Sequence, residues 1–175
     1  MNGKIVGGLI VLIGAVAGIA MYWLQVYAFY EEVSFAPGAE IRLTLIEGGV
    51  AEPIIAEEVQ GIDSESSPIR FRACFRTPMT QAMLTETYQM YPGAVPNVAP
   101  GWFDCFDAQA IGAALEKGEA IAFLSEANIH PGVDRVVAVF PDGRAFAWHQ
   151  LNACGESAFR GGSASGDCAP ASTSP

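Results

Sequence analysis

The sequence predicts an α+β protein: a single N-terminal transmembrane helix, then a small mixed α/β ectodomain with a C-terminal β-hairpin and a disordered tail. Three observations carry this. Ile5 to Tyr30 contains no charged side chain. Glu40 to Leu45 and Ile69 to Arg76 alternate apolar and polar residues, as half-buried strands do. Pro141-Asp142-Gly143 stands between two apolar runs as a hairpin turn.

The apolar segment, wound as a helix at ~1.5 Å per residue, would be ~39 Å long and would cross a hydrocarbon core ~30 Å thick. Its far end carries Tyr22, Trp23, Tyr27, Phe29 and Tyr30, amphipathic rings that favour the membrane interface. Lys4 and the free amino group stand before the segment and Glu31 and Glu32 after it, so the positive-inside tendency places the N-terminus in the cytoplasm. The competing reading is a secretory signal cleaved near Ala15-Val16-Ala17. Such a signal normally has an apolar run of only ~7 to 15 residues, whereas here the hydrophobicity continues well past Ala17.

All 19 acidic residues but only eight of the nine basic ones follow Tyr30, giving the outer part a formal charge of −11. Nucleic-acid partners need a basic footprint and are not expected. A soluble surface or a basic partner suits this charge.

Along the ectodomain, Ile41, Leu43 and Leu45 form the apolar side of a first strand. A Gly48-Gly49 turn, an apolar stretch over Pro53 to Ala56 and an acidic, Ser-rich loop at Asp63 to Ser67 follow. In the next strand Ile69, Phe71, Ala73 and Phe75 share one face and Arg70, Arg72, Cys74 and Arg76 the other. Three arginines on one face imply solvent or a carboxylate-bearing neighbour. Thr77-Pro78 predicts a helix start and Tyr91-Pro92-Gly93 its end, with Met79, Met83 and Met90 near one side.

Pro96 and Pro100 keep Ala94 to Gly101 irregular. Asp107 is an N-cap for a helix over Ala108 to Lys117, with Ile111, Ala114 and Leu115 inward and Gly118 as its stop. Ala120 to Leu124 predicts a short strand, and Arg135 to Phe140 with Ala145 to Leu151 the hairpin. After Asn152 the Gly-, Ser- and Ala-rich composition predicts a tail. The division is 1–32 for the stub and membrane helix, 33–152 for the outer domain and 153–175 for the tail.

Cys74, Cys105, Cys154 and Cys168 all lie on the outer side, where an even number of cysteines is more often bridged than free. Four cysteines allow three pairings; Cys74 with Cys105 is favoured, while Cys154 with Cys168, in the tail, competes with a pair of free or intermolecular thiols. No CxxC or CxxCH spacing exists, which leaves thioredoxin-like chemistry, zinc-ribbon geometry and covalent haem without support. Met79, Met83 and Met90 loosely suggest a copper(I) site, against which methionines at helical spacing more commonly pack a core. Asp104, Asp107 and His149 would have to converge with a serine for hydrolytic chemistry, and GxSxG, HExxH, Walker and GxGxxG patterns are missing. Gly14 and Gly18 make a small-residue face on which another membrane helix could pack.

The stretch Asp134-Arg-Val-Val-Ala-Val-Phe-Pro-Asp-Gly-Arg-Ala-Phe-Ala-Trp-His-Gln-Leu-Asn152, with the opening Met1-Asn-Gly-Lys-Ile-Val-Gly7, resembles an uncharacterised family of alphaproteobacterial single-pass membrane proteins. The resemblance implies a Gram-negative inner membrane and carries over no functional residue; with the orientation set by the flanking charges, the C-terminus is expected in the periplasm. With only Met1 to Lys4 expected in the cytoplasm, signalling by the chain alone is not expected. The leading expectation is a non-enzymatic, cofactor-free accessory or assembly protein that contacts the lipid bilayer and an inner-membrane complex, a respiratory one among the candidates. A periplasmic copper(I)- or thiol-handling factor is the alternative, and a small hydrolase the third.

Overall fold

The computed structural model of the protein describes residues 2–35 and 41–161. It contains two compact units, Met1–Glu31 and Glu32–Pro175. In the first, α1 (Gly3–Trp23) continues into a π-helical turn, Leu24–Ala28. The whole helical segment Gly3–Ala28 has a mean hydropathy of 2.4 and is long and apolar enough to cross a bilayer. Trp23 and Tyr27 stack at its end, ring centroids 4.9 Å apart.

The second unit is built on an antiparallel sheet. Its strands are β1 (Glu31–Glu32), β4 (Glu57–Asp63), β5 (Arg72–Arg76), β8 (Arg144–Leu151), β7 (Val133–Val139) and β6 (Ile121–His130), in that spatial order. A separate hairpin pairs β2 (Arg42–Thr44) with β3 (Ala51–Pro53). The α+β arrangement expected from the sequence is therefore the one observed. The strand period of two sets the faces. Ala73, Ala147, Val137 and Phe123 lie side by side across the sheet and belong to one core, whereas Cys74, Phe146, Ala138 and Ala122 form the adjacent row and belong to the other. Because β7 is covered on both faces, Val136 to Val139 are all buried and its sequence is a continuous apolar run.

The first face is covered by the β2–β3 hairpin, which contributes Ile41, Leu43 and Ile54, and by α2 (Gln81–Thr87), which contributes Leu84. Tyr88 to Tyr91 then runs along β6, with Leu124 N–H donating to Gln89 O and Tyr91 N–H to Ala122 O. Thr44 and Ser125 continue this junction, the threonine hydroxyl donating to Ser125 O at 2.7 Å. The exposed edge of β6 is thus closed against stray pairing. The second face is covered by α3 (Ala108–Glu116), which buries Ile111 and Ala114, and by the preceding loop, which buries Phe106.

Four elements differ from expectation. Thr77 does not cap α2. Its hydroxyl accepts from Met79 N–H, and Thr80 is the N-cap, accepting from Met83 N–H, so the helix starts later and ends at Thr87. Met90 is therefore outside it. The strand β4 (Glu57–Asp63), between β1 and β5, takes in residues 57–62, unassigned in sequence, and Asp63, expected to open a loop. β6 runs on to His130 through two register shifts, well past Leu124. The first seven residues of the expected tail form α4 (Ala153–Phe159), capped by Asn152.

Candidate functional site

Arg72 shows how the second face is organised. It is buried and its guanidinium is held by backbone carbonyls, where the sequence implied solvent or a carboxylate-bearing neighbour; Arg76 of the same face is exposed. Nε donates to Asn97 O at 2.8 Å, Nη2 to Val98 O at 3.1 Å, and Nη1 to Ile69 O and Phe71 O. Those bonds fasten the proline-containing loop to β5. Asn97 adds a bond from its amide to His149 O, and Val95 N–H donates to Gln150 Oε1. The disulfide between Cys74 and Cys105, Cα atoms 6.2 Å apart, fixes the end of the same loop. Asp107 then caps α3, its Oδ1 accepting from the N–H groups of Gln109 and Ala110, each at 3.0 Å.

This bracing forms a groove of about 640 Å³ beside β4. Gln60 and Ile62 lie on the face of β4 that continues Cys74 and Arg72, and Trp102 to Cys105 make one wall. Glu32 stands at another border. A smaller cleft of about 230 Å³ shares Cys105 with it and is lined by Arg76, Arg144 and Glu58.

The first face carries the other polar centre. His149 is fully buried, stacked on Phe71 at 4.7 Å between ring centroids. Its Nδ1 lies 2.8 Å from Pro68 O, which can only accept, and its Nε2 lies 3.0 Å from Arg135 Nε, which can only donate. The ring is consequently the neutral Nδ1–H tautomer. Burial pushes its pKa down to about 3, the Arg135 charge adding to that and the Pro68 bond opposing it. Arg135 in turn lies 4.2 Å over the Phe71 ring and 3.6 Å from Glu126. On the second face Asp134, also buried, accepts from Tyr91 Oη–H, Asn128 N–H and the Asn152 amide. Burial and the facing Asp134 carboxylate raise the Tyr91 pKa.

Residues 41–169 match a family of unknown function, DUF6446. The chain belongs to this family. The DUF6446 segment takes in all four cysteines, the hairpin and the buried residues of both cores, and it extends past the Asn152 limit of the sequence resemblance while leaving out the Met1 to Gly7 opening. No curated protein and no solved structure shows significant similarity to the chain.

Within the DUF6446 segment the sequence-predicted residues fall into separate settings. Cys74 and Cys105 are joined, whereas the Cys154–Cys168 pairing rests on Cys168, outside the described residues. Met79 precedes α2 and packs on the first core, Met83 is exposed on the helix, and Met90 is exposed beyond it. The three do not share a helix. Asp104 and Asp107 belong to the loop on the second face and His149 to the first, so the sheet separates them. No group of three His, Cys, Asp or Glu side chains is placed to hold a metal among the described residues. Gly14 and Gly18 of α1 lie outside the family match and have open space where a Cβ would stand. Sequence reasoning missed Glu32, Gln60 and Trp102 as parts of one groove, since only the sheet order and the disulfide bring them together.

Proposed function

We propose that the chain is a membrane-anchored accessory protein rather than an enzyme. In this reading α1 spans the inner membrane of a Gram-negative cell with its N-terminus in the cytoplasm, and the periplasmic DUF6446 domain makes protein–protein contacts with a larger membrane complex. The observation that carries the reading is the occupancy of His149. A general base needs a free lone pair within reach of substrate, and here that lone pair receives the Arg135 N–H in a buried site. Asp134 is similarly engaged by three donors. The exposed apolar side chains Met90, Val95 and Val98, by contrast, stand on the loop side of the domain, where contacts with another protein would cover them.

The test is extraction of the tagged full chain from native membranes in a mild non-ionic detergent, followed by native sizing and mass spectrometry. A partner present at constant stoichiometry supports the reading; recovery of the chain as a monomer alone counts against it. A phosphatase that folds only in the periplasm, fused after Pro175, checks the orientation, and an inactive fusion of normal abundance would reverse it.

A further inference from the structure

We propose that the groove beside β4 takes an extended segment of a partner protein through a lysine or arginine side chain. This rests on the accessory-protein reading and names the surface and the chemistry of the partner. The groove is formed before any ligand arrives: Cys105 is bonded to Cys74, and Cys74 is the register partner of Gln60 on the groove floor. Four consecutive β4 residues, Val59 to Ile62, line it. At ~3.3 Å per residue that is a path of about 13 Å, the length of about four extended residues. Its volume, about 640 Å³, is within the usual range of ligand sites.

Three features select a cation. Glu32 and Asp104, both exposed, line the groove, and none of its lining residues is basic. Trp102 and Phe103, half-buried and packed edge to face at 6.3 Å between ring centroids, make the aromatic part of the lining, against which an ammonium or guanidinium group can rest. The sequence beyond Tyr30 has a formal charge of −11, which steers positive segments toward the domain. The neighbouring cleft shows that this is local selection as well as overall acidity. Across Cys105 the lining becomes mixed, with Arg76 and Arg144, cross-strand neighbours in register, beside Glu58, and with Arg144 ion-paired to Asp142 at 2.6 Å, so the purely acidic lining is confined to the groove side of the disulfide.

The test uses the full chain in neutral detergent micelles, labelled with ¹⁵N and carrying Trp23→Phe, so that Trp102 and Trp148 supply the indole N–H signals. The probes are the blocked pentapeptide Ala-Arg-Ala-Lys-Ala and its counterpart with glutamate at both charged positions. Saturable movement of the Trp102 signal with the basic peptide alone is expected, with affinity in roughly the millimolar range. Glu32→Gln with Asp104→Asn should weaken it about tenfold while the disulfide and thermal midpoint stay unchanged. No saturable movement, or equal affinity in the double variant, overturns the proposal. The two levels separate in pull-down. A partner held equally by wild type and double variant removes the groove and keeps the accessory reading. Peptide binding without any co-purifying partner does the reverse.

Discussion

Arg135 donates its Nε–H to Nε2 of His149 at 3.0 Å, and that single contact fixes the protonation state of a buried imidazole. Protonating Nε2 would set two N–H groups against each other beside a guanidinium charge. The folded pKa of about 3 lies below the ordinary 6.5, so the unfolded chain binds a proton that the folded chain refuses. The contribution is complete above pH 6.5 and declines as pH falls toward 3, by about 1.4 kcal/mol per pH unit. Unfolding of the full chain in detergent, followed between pH 7.5 and 4.5, should show this slope. His149→Gln should flatten it; parallel pH profiles for wild type and variant would remove the histidine as its source.

Gly61 is required by Phe35. A Cβ on Gly61 would stand 2.6 Å from Phe35 Cζ, closer than carbon atoms tolerate, and in tight contact with Arg72 O at 3.3 Å. Gly61→Ala should therefore displace the ring from the first core and cost about 1 to 3 kcal/mol. Phe35→Ala removes the obstruction together with the contact. In a double-mutant cycle the two losses should sum to more than the loss in the combined variant. Simple additivity would show that the ring does not rest on this glycine.

The disulfide spans 31 positions, and in the chain-entropy model such a bridge stabilises by ~3 to 4 kcal/mol. Cys74→Ala with Cys105→Ala should lower stability by about that amount and loosen the loop from Trp102 to Phe106 first. Hydrogen exchange resolves the order: rapid exchange confined to this loop at neutral pH is expected, with the β7 amides still protected. Uniform loss of protection across the sheet would assign the bond to global stability alone.

What was legible in the sequence was what local chemistry decides. Asp107 and Gly118 bound α3 because an N-cap and a left-handed stop act within one turn, and Gly118 indeed has φ +71. Pro141-Asp142-Gly143 specified its turn in the same way, with Gly143 at φ +81 and Phe140 N–H donating to Arg144 O. β4 was not legible: it is an acidic strand whose pairing with β5 shifts register where Glu58 takes φ +54. The lower half of β6 was hidden because Ser125 is buried by bonds to β2, more than 80 positions away in sequence. In the candidate site the cysteine pair could be read from compartment and parity. The groove could not, because Glu32, Gln60 and Asp104 meet only through the sheet order and the bridge.

The helix α4 replaces the start of the expected tail, and two glycines decide whether it stays docked. Asn152 caps it, Oδ1 accepting from Cys154 N–H at 3.1 Å and Gly155 N–H at 3.0 Å. The amide of the same side chain donates to Asp134 and Asn128, and its backbone N–H donates to Gly132 O at 3.0 Å. Gly155 thereby comes against Gly132 so closely that a Cβ on Gly132 would lie 2.7 Å from Gly155 Cα. Gly155→Ala places a methyl group against backbone, which cannot yield as a flexible side chain can. The expected result is local: amides of residues 153–159 lose hydrogen-exchange protection while β7 and β8 keep theirs. Gly132→Ala should do the same and also lower overall stability, because Gly132 has φ +76 and alanine is strained there. Asn152→Ala, which removes the cap and two network donors together, should cost more than an isolated cap, typically about 1 kcal/mol. Unchanged protection of α4 in Gly155→Ala would mean that the Asn152 network alone holds the helix, and the glycine contact would then be a consequence of docking rather than its condition.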